Sequence, residues 1–353
     1  YGNDQWQSFD VQGILFAPLS LPVALPNYGL VKTVGASGSD FVVDGVDDQV
    51  EINAAIQAVT ALGGGTVSLA NGTFSIRGPI VLASRVNLVG QGIGSTVVRL
   101  ADQVNTSIKG LIQVPVNTVT SDVVVQKLTI DGNRNNQTAG TMYGFFSGSP
   151  SSSQPAKRIW IDQVEIVRIR NAGVYVDSTS KNVYVTNSHI YSNGETGIFV
   201  NSSKDIALIG NALEQNEYYG IEISNSTRAY LANNTVQWSG REGIMIDGGS
   251  YGVVLTNNSC SNNALYGITV YTAYGVSLTN NQCSYNARSG IGVGVNGISN
   301  NVTLRNNVLS FNQAPGIYLS RATGCTLENN TTDRNQGHGI RVYRSSYNYI
   351  FNN

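Results

Sequence analysis

A glycine returns at Gly173, Gly197, Gly220, Gly243, Gly267, Gly290, Gly316 and Gly339, with successive gaps of 24, 23, 23, 24, 23, 26 and 23 residues. Each begins the same short phrase of aliphatic and variable residues in alternation, as in Gly197-Ile198-Phe199-Val200-Asn201. A fixed period of this length is the mark of a solenoid. Alternation inside the period marks strand rather than helix. Asparagines keep the same beat. Asn211, Asn234, Asn258, Asn281, Asn307 and Asn330 lie nine residues before a repeat glycine. Asn193, Asn216, Asn263, Asn286, Asn312 and Asn335 lie four before, with Ser239 standing in once. Asparagine tolerates left-handed turns. Stacked in register, its amide can also bond the next amide along, as in amide ladders. The pattern predicts an all-β, right-handed parallel β-helix of three-strand coils with asparagine ladders. The Leu-x-x-Leu-x-Leu signature of a leucine-rich horseshoe is missing, and a propeller blade is nearly twice as long.

The remaining chain divides around this repeat. Residues 1–30, broken by Pro18, Pro22 and Pro26, read as an arm or linker, and residues 31–353 as one β-helix domain with regular coils over 173–353. A helix is expected over about 48–62, started by a capping box of Asp48 and Glu51. Ile52, Ala55, Ile56, Val59 and Leu62 line its apolar face, and Gly63-Gly64-Gly65 ends it. Such a helix would close the apolar end of the solenoid. Less regular coils fill the stretch to about residue 172, with insertions near 132–142 and 147–157. The end at Asn352-Asn353 has no evident cap, so further chain or another subunit is expected there. The start at Tyr1 without Met is compatible with a removed leader and with secretion.

With 21 Lys+Arg against 22 Asp+Glu, the chain has nothing to attract a phosphate backbone, so nucleic acid is excluded as the expected partner. No apolar run is long enough to span a bilayer. Cys260 and Cys283 share a repeat position and should stack on neighbouring coils, either as small inward hydrophobes or as a disulfide. No Cys/His spacing suggests zinc. No cofactor is expected, although carboxylates could take calcium in place of cationic side chains.

Several stretches resemble a known family. Gly63-Gly64-Gly65-Thr66-Val67, Asn71-Gly72-Thr73-Phe74 and Leu128-Thr129-Ile130-Asp131-Gly132-Asn133-Arg134 are similar to the pectate-lyase-like superfamily of β-helix proteins. Within it they most resemble the catalytic modules of mannuronan C-5 epimerases; phage tailspike depolymerases share the build. The epimerase motif Tyr-Gly-Phe-Asp-Pro-His-Glu is not matched. Its place is held by Ala172-Gly173-Val174-Tyr175-Val176-Asp177-Ser178, with Ala172 for the tyrosine, Tyr175 for the aspartate and Asp177 for the histidine. Asn201 replaces a further family aspartate one coil on. The resemblance therefore implies the fold and a sugar-binding outer face on the glycine-started strand, and not that catalytic set.

Strand alternation turns the first and third residues after each glycine inward and the second and fourth outward. The outward columns hold Tyr175, Phe199, Glu222, Met245, Tyr318 and Arg341, and Asp177, Asn201, Asp247 and Tyr271. Glu222 and Asp247 fall on adjacent coils, about 8 Å apart at Cα from strand and coil spacing. That reach suits the carboxyl pairs of glycosidases. Glu222, flanked by Phe199 and Met245, is the expected general acid with a raised pKa. Asp247 is the expected base or nucleophile, and Asp177 an additional carboxylate. Tyr175, Phe199, Tyr271 and Tyr318 would stack on sugar rings, and Arg341 would meet an acidic sugar. The bland alternative is that exposed acids on a solenoid are simply solvated, and that aromatics stack because coils align them.

The expected function is an extracellular or virion-borne enzyme that degrades a polysaccharide, by hydrolysis in the first place. A lyase or C-5 epimerase on a uronate polymer is the alternative, using Asp131 and Arg134 with Lys127 and Arg158 from the less regular coils. A noncatalytic glycan-binding tail fibre or adhesin is the third. Monomer and homotrimer both fit, and His189 and His338 read as structural.

Overall fold

The computed structural model describes residues 28–115, 118–148, 155–295 and 297–353. The expected arm falls almost wholly outside the described residues, as does part of the 147–157 insertion. Two parallel sheets carry the coils. One of eleven strands stacks every glycine-started strand in chain order, from Ile80–Val81 to Ile340–Tyr343. One of 23 strands forms the other faces of the coil. Neighbours are parallel and in register, so Ile198, Ile221, Ile244, Ile268 and Ile291 stack directly. These side chains and the other inward aliphatics are fully buried in one continuous core along the axis. Coils before residue 172 are less regular in a particular way. Ser121–Asp131 and Lys157–Val167 are eleven-residue strands that each cover what two shorter strands cover in later coils.

The ladders form and explain the glycines. Asn211 Nδ2 donates to Asn234 Oδ1 at 3.0 Å, and the chain of amides continues through Asn258, Asn281, Asn307 and Asn330 to Asn353. The second ladder runs from Asn193 to Asn216, stops at Ser239, and resumes from Asn263 to Asn335. A Cβ on Gly197 would stand 2.8 Å from Asn216 Nδ2 and 2.6 Å from the carbonyl oxygen of Gly220. The repeat glycine is thus required for close approach to the amide and to the next coil. The left-handed residues are not the ladder asparagines, as the spacing alone suggested, but those immediately before them: Asn233, Asn257, Asn280, Asn306 and Asn329 all have φ near +55°. The first asparagine of each pair turns the chain and the second is then aimed inward at its neighbour.

The cap helix, α1, spans Gln49–Ala61 and buries Ile52, Ala55, Ile56 and Val59. Its expected capping box is absent. The Asp48 carboxylate instead accepts from the backbone N–H of Gly45 and of Ser75, tying the helix to the strand Gly72–Ile76. Leu62, expected on the buried face, is 71% exposed because the helix has already ended. Cys260 and Cys283 stack in register as buried free thiols. No described helix is long and apolar enough to cross a membrane.

Candidate functional site

The outward face of the eleven-stranded sheet carries the candidate site. Register pairs Phe146 with Tyr175, Tyr175 with Phe199, Phe199 with Glu222, and Glu222 with Met245. The aromatics pack into one platform. Tyr175 and Phe199 are stacked with ring centroids 4.9 Å apart, and Tyr143 meets Tyr175 edge-on at 4.8 Å. Asn201 donates to Asp177 Oδ1 at 3.0 Å beside them. Burial and the Asp177 charge push the Tyr175 phenol up, so it stays protonated.

The acids follow on the next two coils. Ser224 pairs with Asp247 across the same strands that pair Glu222 with Met245, so the two acids are diagonal neighbours about 7–8 Å apart at Cα. Burial first, and the Asp247 charge second, raise the Glu222 pKa to about 7. A hydrogen bond from Thr196 opposes the shift. Asp247 is also raised by burial, against a hydrogen bond from Ser224, and its Oδ1 is buried with no hydrogen-bond partner. Glu222 therefore keeps its proton to about pH 7. A carboxyl protonated up to that pH is the state a general acid needs, and Asp247 is the acidic group beside it.

The outward strip is recessed rather than open. Met245 and Thr269, in the outward column, are 7% and 2% exposed. The cover comes from residues just before the repeat glycines, which the strand alternation did not reach. Tyr219 lies within the field of Glu242, Glu222 and Asp247, and with burial leading, its phenol is pushed up to about 12. Arg241 lies over the Tyr219 ring at 5.1 Å, and its charge lowers Glu222. Glu242 is 7% exposed and raised by burial, and its Oε2 lies 3.8 Å from Arg241 Nε without a hydrogen bond of its own. Tyr266 leans across the sheet, so that a Cβ on Gly292 would meet its ring at 3.0 Å. The sequence held a signal for these groups: Tyr219-Gly220-Ile221-Glu222 repeats the Tyr-Gly-x-acid spacing of the epimerase motif two coils beyond the place where Ala172 interrupts it.

The other expected site residues separate. Tyr271 is half-buried just past the strand Ile268–Val270. Tyr318 and Arg341 pair on the last two strands of the sheet, the guanidinium 5.5 Å from the ring. Asp131 and Arg134 do not join them. Asp131 is buried in the larger sheet, held by Arg168 at 3.1 and 2.6 Å and by Arg99 at 3.6 Å. Arg134 pairs with Glu217 at a separate open cavity of about 420 Å³ lined also by Arg168 and Tyr191. Arg158 is bound to Asp122 by two hydrogen bonds. Asp131, Arg134 and Arg158, expected from the less regular coils, are thus each held in ion pairs, and Lys127 is exposed on the larger sheet. No group of three His, Cys, Asp or Glu able to hold a metal ion occurs among the described residues.

Comparison with known proteins agrees with the β-helix fold. Residues 31–245 match the model described as rhamnogalacturonase A/epimerase, pectate lyase-like, and residues 196–353 that of the right handed beta helix region. The mannuronan C5-epimerase AlgE5 of Azotobacter vinelandii is 31% identical over 259 residues, which are 69% of this chain and 25% of the relative. The chain thus spans about a quarter of that relative's length. Among solved structures, the A-module of mannuronan C-5 epimerase AlgE4 from Azotobacter vinelandii superposes with a TM-score of 0.79 at 23% identity, covering 88% of this chain and 98% of that one. The enzymatically active domain of bacteriophage CBA120 tailspike protein 2 reaches 0.63 at 12% identity, covering 86% and 50%. At these identities the likeness to solved structures is one of fold.

Proposed function

The chain belongs to the rhamnogalacturonase A/epimerase, pectate lyase-like family, and on that footing we propose that it is a polysaccharide-modifying enzyme, extracellular or virion-borne. Its glycan would lie along the outer face of the eleven-stranded sheet. The observation that carries the reading is the Glu222–Asp247 pair: two half-buried acids on adjacent strands, one holding its proton to about pH 7 because of burial and the other's charge. In hydrolysis, Glu222 delivers that proton to the glycosidic oxygen. Asp247 takes a proton from the attacking water, or attacks the anomeric carbon itself if the carboxyls close to the shorter spacing. Tyr143, Tyr175 and Phe199, packed over the buried Phe146, offer aromatic surface to the sugars on one side of the cleavage point.

A second reading is supported by Arg241 and Tyr219 beside the pair, and by the epimerase relatives. On a uronate polymer, Arg241 would neutralise the sugar carboxylate, Asp247 would take the C5 proton, and the Tyr219 phenol would supply one. The two readings separate on a polysaccharide panel that includes alginate, pectin and bacterial capsules, followed for reducing ends and for ultraviolet absorbance. Reducing ends without absorbance are expected for hydrolysis. Absorbance from an unsaturated product, or C5 inversion seen by proton exchange, moves the assignment to the second reading. A polymer that is bound and left unchanged overturns both and makes the chain a glycan-binding solenoid.

A further inference from the structure

The residue just before a repeat glycine reaches over the second residue after the next one. Thr196, before Gly197, hydrogen-bonds the carboxyl of Glu222, two beyond Gly220. Tyr266, before Gly267, lies against Gly292, two beyond Gly290, where a Cβ would meet its ring at 3.0 Å. Glu242, before Gly243, falls between these two cases, and the same step brings it to Thr269, two beyond Gly267. The residue types are those of Thr196 and Glu222 exchanged, yet the bond is not made. Glu242 Oε2 and Thr269 Oγ1 are both buried without a hydrogen-bond partner, in residues 7% and 2% exposed. The Glu242 carboxylate bonds its own backbone N–H instead and is drawn towards Arg241, 3.8 Å from Oε2. Keeping a buried polar atom unbonded costs about 1–3 kcal/mol, and here two neighbouring positions bear that cost. Register puts Thr269 directly beyond Met245 and diagonal to Asp247, whose Oδ1 is likewise unpartnered.

We infer that Glu242 and Thr269 form a subsite for one free hydroxyl of the glycan, on the sugar just beyond the Glu222–Asp247 pair. A hydroxyl both donates and accepts, so a single group can donate to Glu242 Oε2 and accept from Thr269 Oγ1. An ether or ester at that carbon has no proton to give and leaves the buried carboxylate unpaired, which is a penalty on the wrong partner. Entry requires the Glu242 side chain to swing off Thr269. That motion gives up only the long contact to Arg241 and the bond to its own N–H. The two sides of the cleavage point are then recognised differently, by aromatic surface before the acids and by a buried hydroxyl contact after them. The inference rests on the reading that a glycan lies along this face, and it holds for either chemistry proposed there.

The test is affinity electrophoresis in gels containing the alginate, pectin or capsular polysaccharides of the panel. Glu222→Gln serves as the parent protein, so that the ligand is not consumed. Thr269→Val keeps the shape and removes the hydroxyl, and it should weaken binding of the retarding polymer about fivefold to tenfold. Thr269→Ser should stay within about twofold of the parent, and Glu242→Gln should lose about tenfold, the worth of one charge-assisted contact. Without ligand, Thr269→Val should melt no lower than its parent, because the hydroxyl it removes has no partner to lose. Unchanged binding in Thr269→Val, or an equal loss in Thr269→Ser, overturns the inference. So does a clear fall in the melting temperature of Thr269→Val, which would give the hydroxyl a partner within the fold. The outcomes separate the two claims. If no polymer retards the parent, the glycan reading of this face fails and the inference falls with it. If one does and Thr269→Val binds it equally well, the inference alone fails.

Discussion

The same coils treat their acids in opposite ways on their two sheets. On the 23-stranded sheet, Asp122 is gripped by Arg158, Asp131 by Arg168, and Asp205 by Arg228, each through two hydrogen bonds, and Glu328 meets Arg305 at 2.8 Å. The Arg158 contact pulls the Asp122 pKa down. On the eleven-stranded sheet, Glu222, Asp247 and Glu242 have no such grip, and burial pushes all three up. A solenoid offers a matching cation one coil away at little structural cost, as the larger sheet shows. Acids left unmatched on one face are therefore the departure that points to chemistry.

The largest effect should come from cutting across that contrast with one isosteric change on each face. Glu222→Gln is expected to lower turnover by about 10²–10⁴-fold, the range of a lost general acid, whereas Asp205→Asn on the larger sheet leaves turnover within about twofold. Steady-state rates of the two variants on a substrate found by the panel decide the matter. Comparable losses in both would end the distinction between the faces.

Next in size is the stability of the gripped acids. Asp131→Ala leaves the Arg168 guanidinium and the Asn133 N–H without their acceptor. Chemical denaturation should show a loss of about 2 kcal/mol, with activity retained. A loss of activity without loss of stability would return Asp131 to the candidate site.

The faces should also answer pH with opposite sign. Glu222 binds its proton more tightly folded than unfolded, so the cost of ionising it grows as pH rises from the ordinary carboxylate range through about 7. The melting temperature of Glu222→Gln should exceed that of the unmutated protein at pH 8, and the two should converge near pH 5. Asp122 is depressed, so its contribution is present above the ordinary carboxylate range and lost as pH falls through its lowered value. Asp122→Asn should therefore melt lower at pH 7, with the gap closing in acid. In rate profiles, the alkaline limb should fall near pH 7, where Glu222 loses its proton.

The smallest expected effect concerns the gap in the second ladder. The Ser239 hydroxyl is buried without a partner, between the amides of Asn216 and Asn263. Ser239→Asn should join the two ladder segments and stabilise the fold by about 1 kcal/mol. No gain in denaturation midpoint would show that this coil cannot accept the amide.

How far these features could be read beforehand depends on their range. Coil length, the inward aliphatic column and both ladders were legible, since each repeats locally and the register only multiplies it. The adjacency of Glu222 and Asp247 was legible for the same reason. Tyr219, Arg241, Glu242 and Tyr266 were not, because they precede the glycine and lie in turns, where strand alternation assigns no direction. Asp131 and Arg134 were candidates as charged groups in the less regular coils, and they are held by Arg168 and Glu217, partners that no local pattern names.

By itself, the chain of residues determined the period, the sheet-forming faces and the need for glycine and asparagine at each turn, because these follow from steric and hydrogen-bonding rules within one coil. Only the tertiary structure decided which acids are paired and which are left without a cation's grip. That choice depends on burial and on charges one coil away, and both are set when the coils stack.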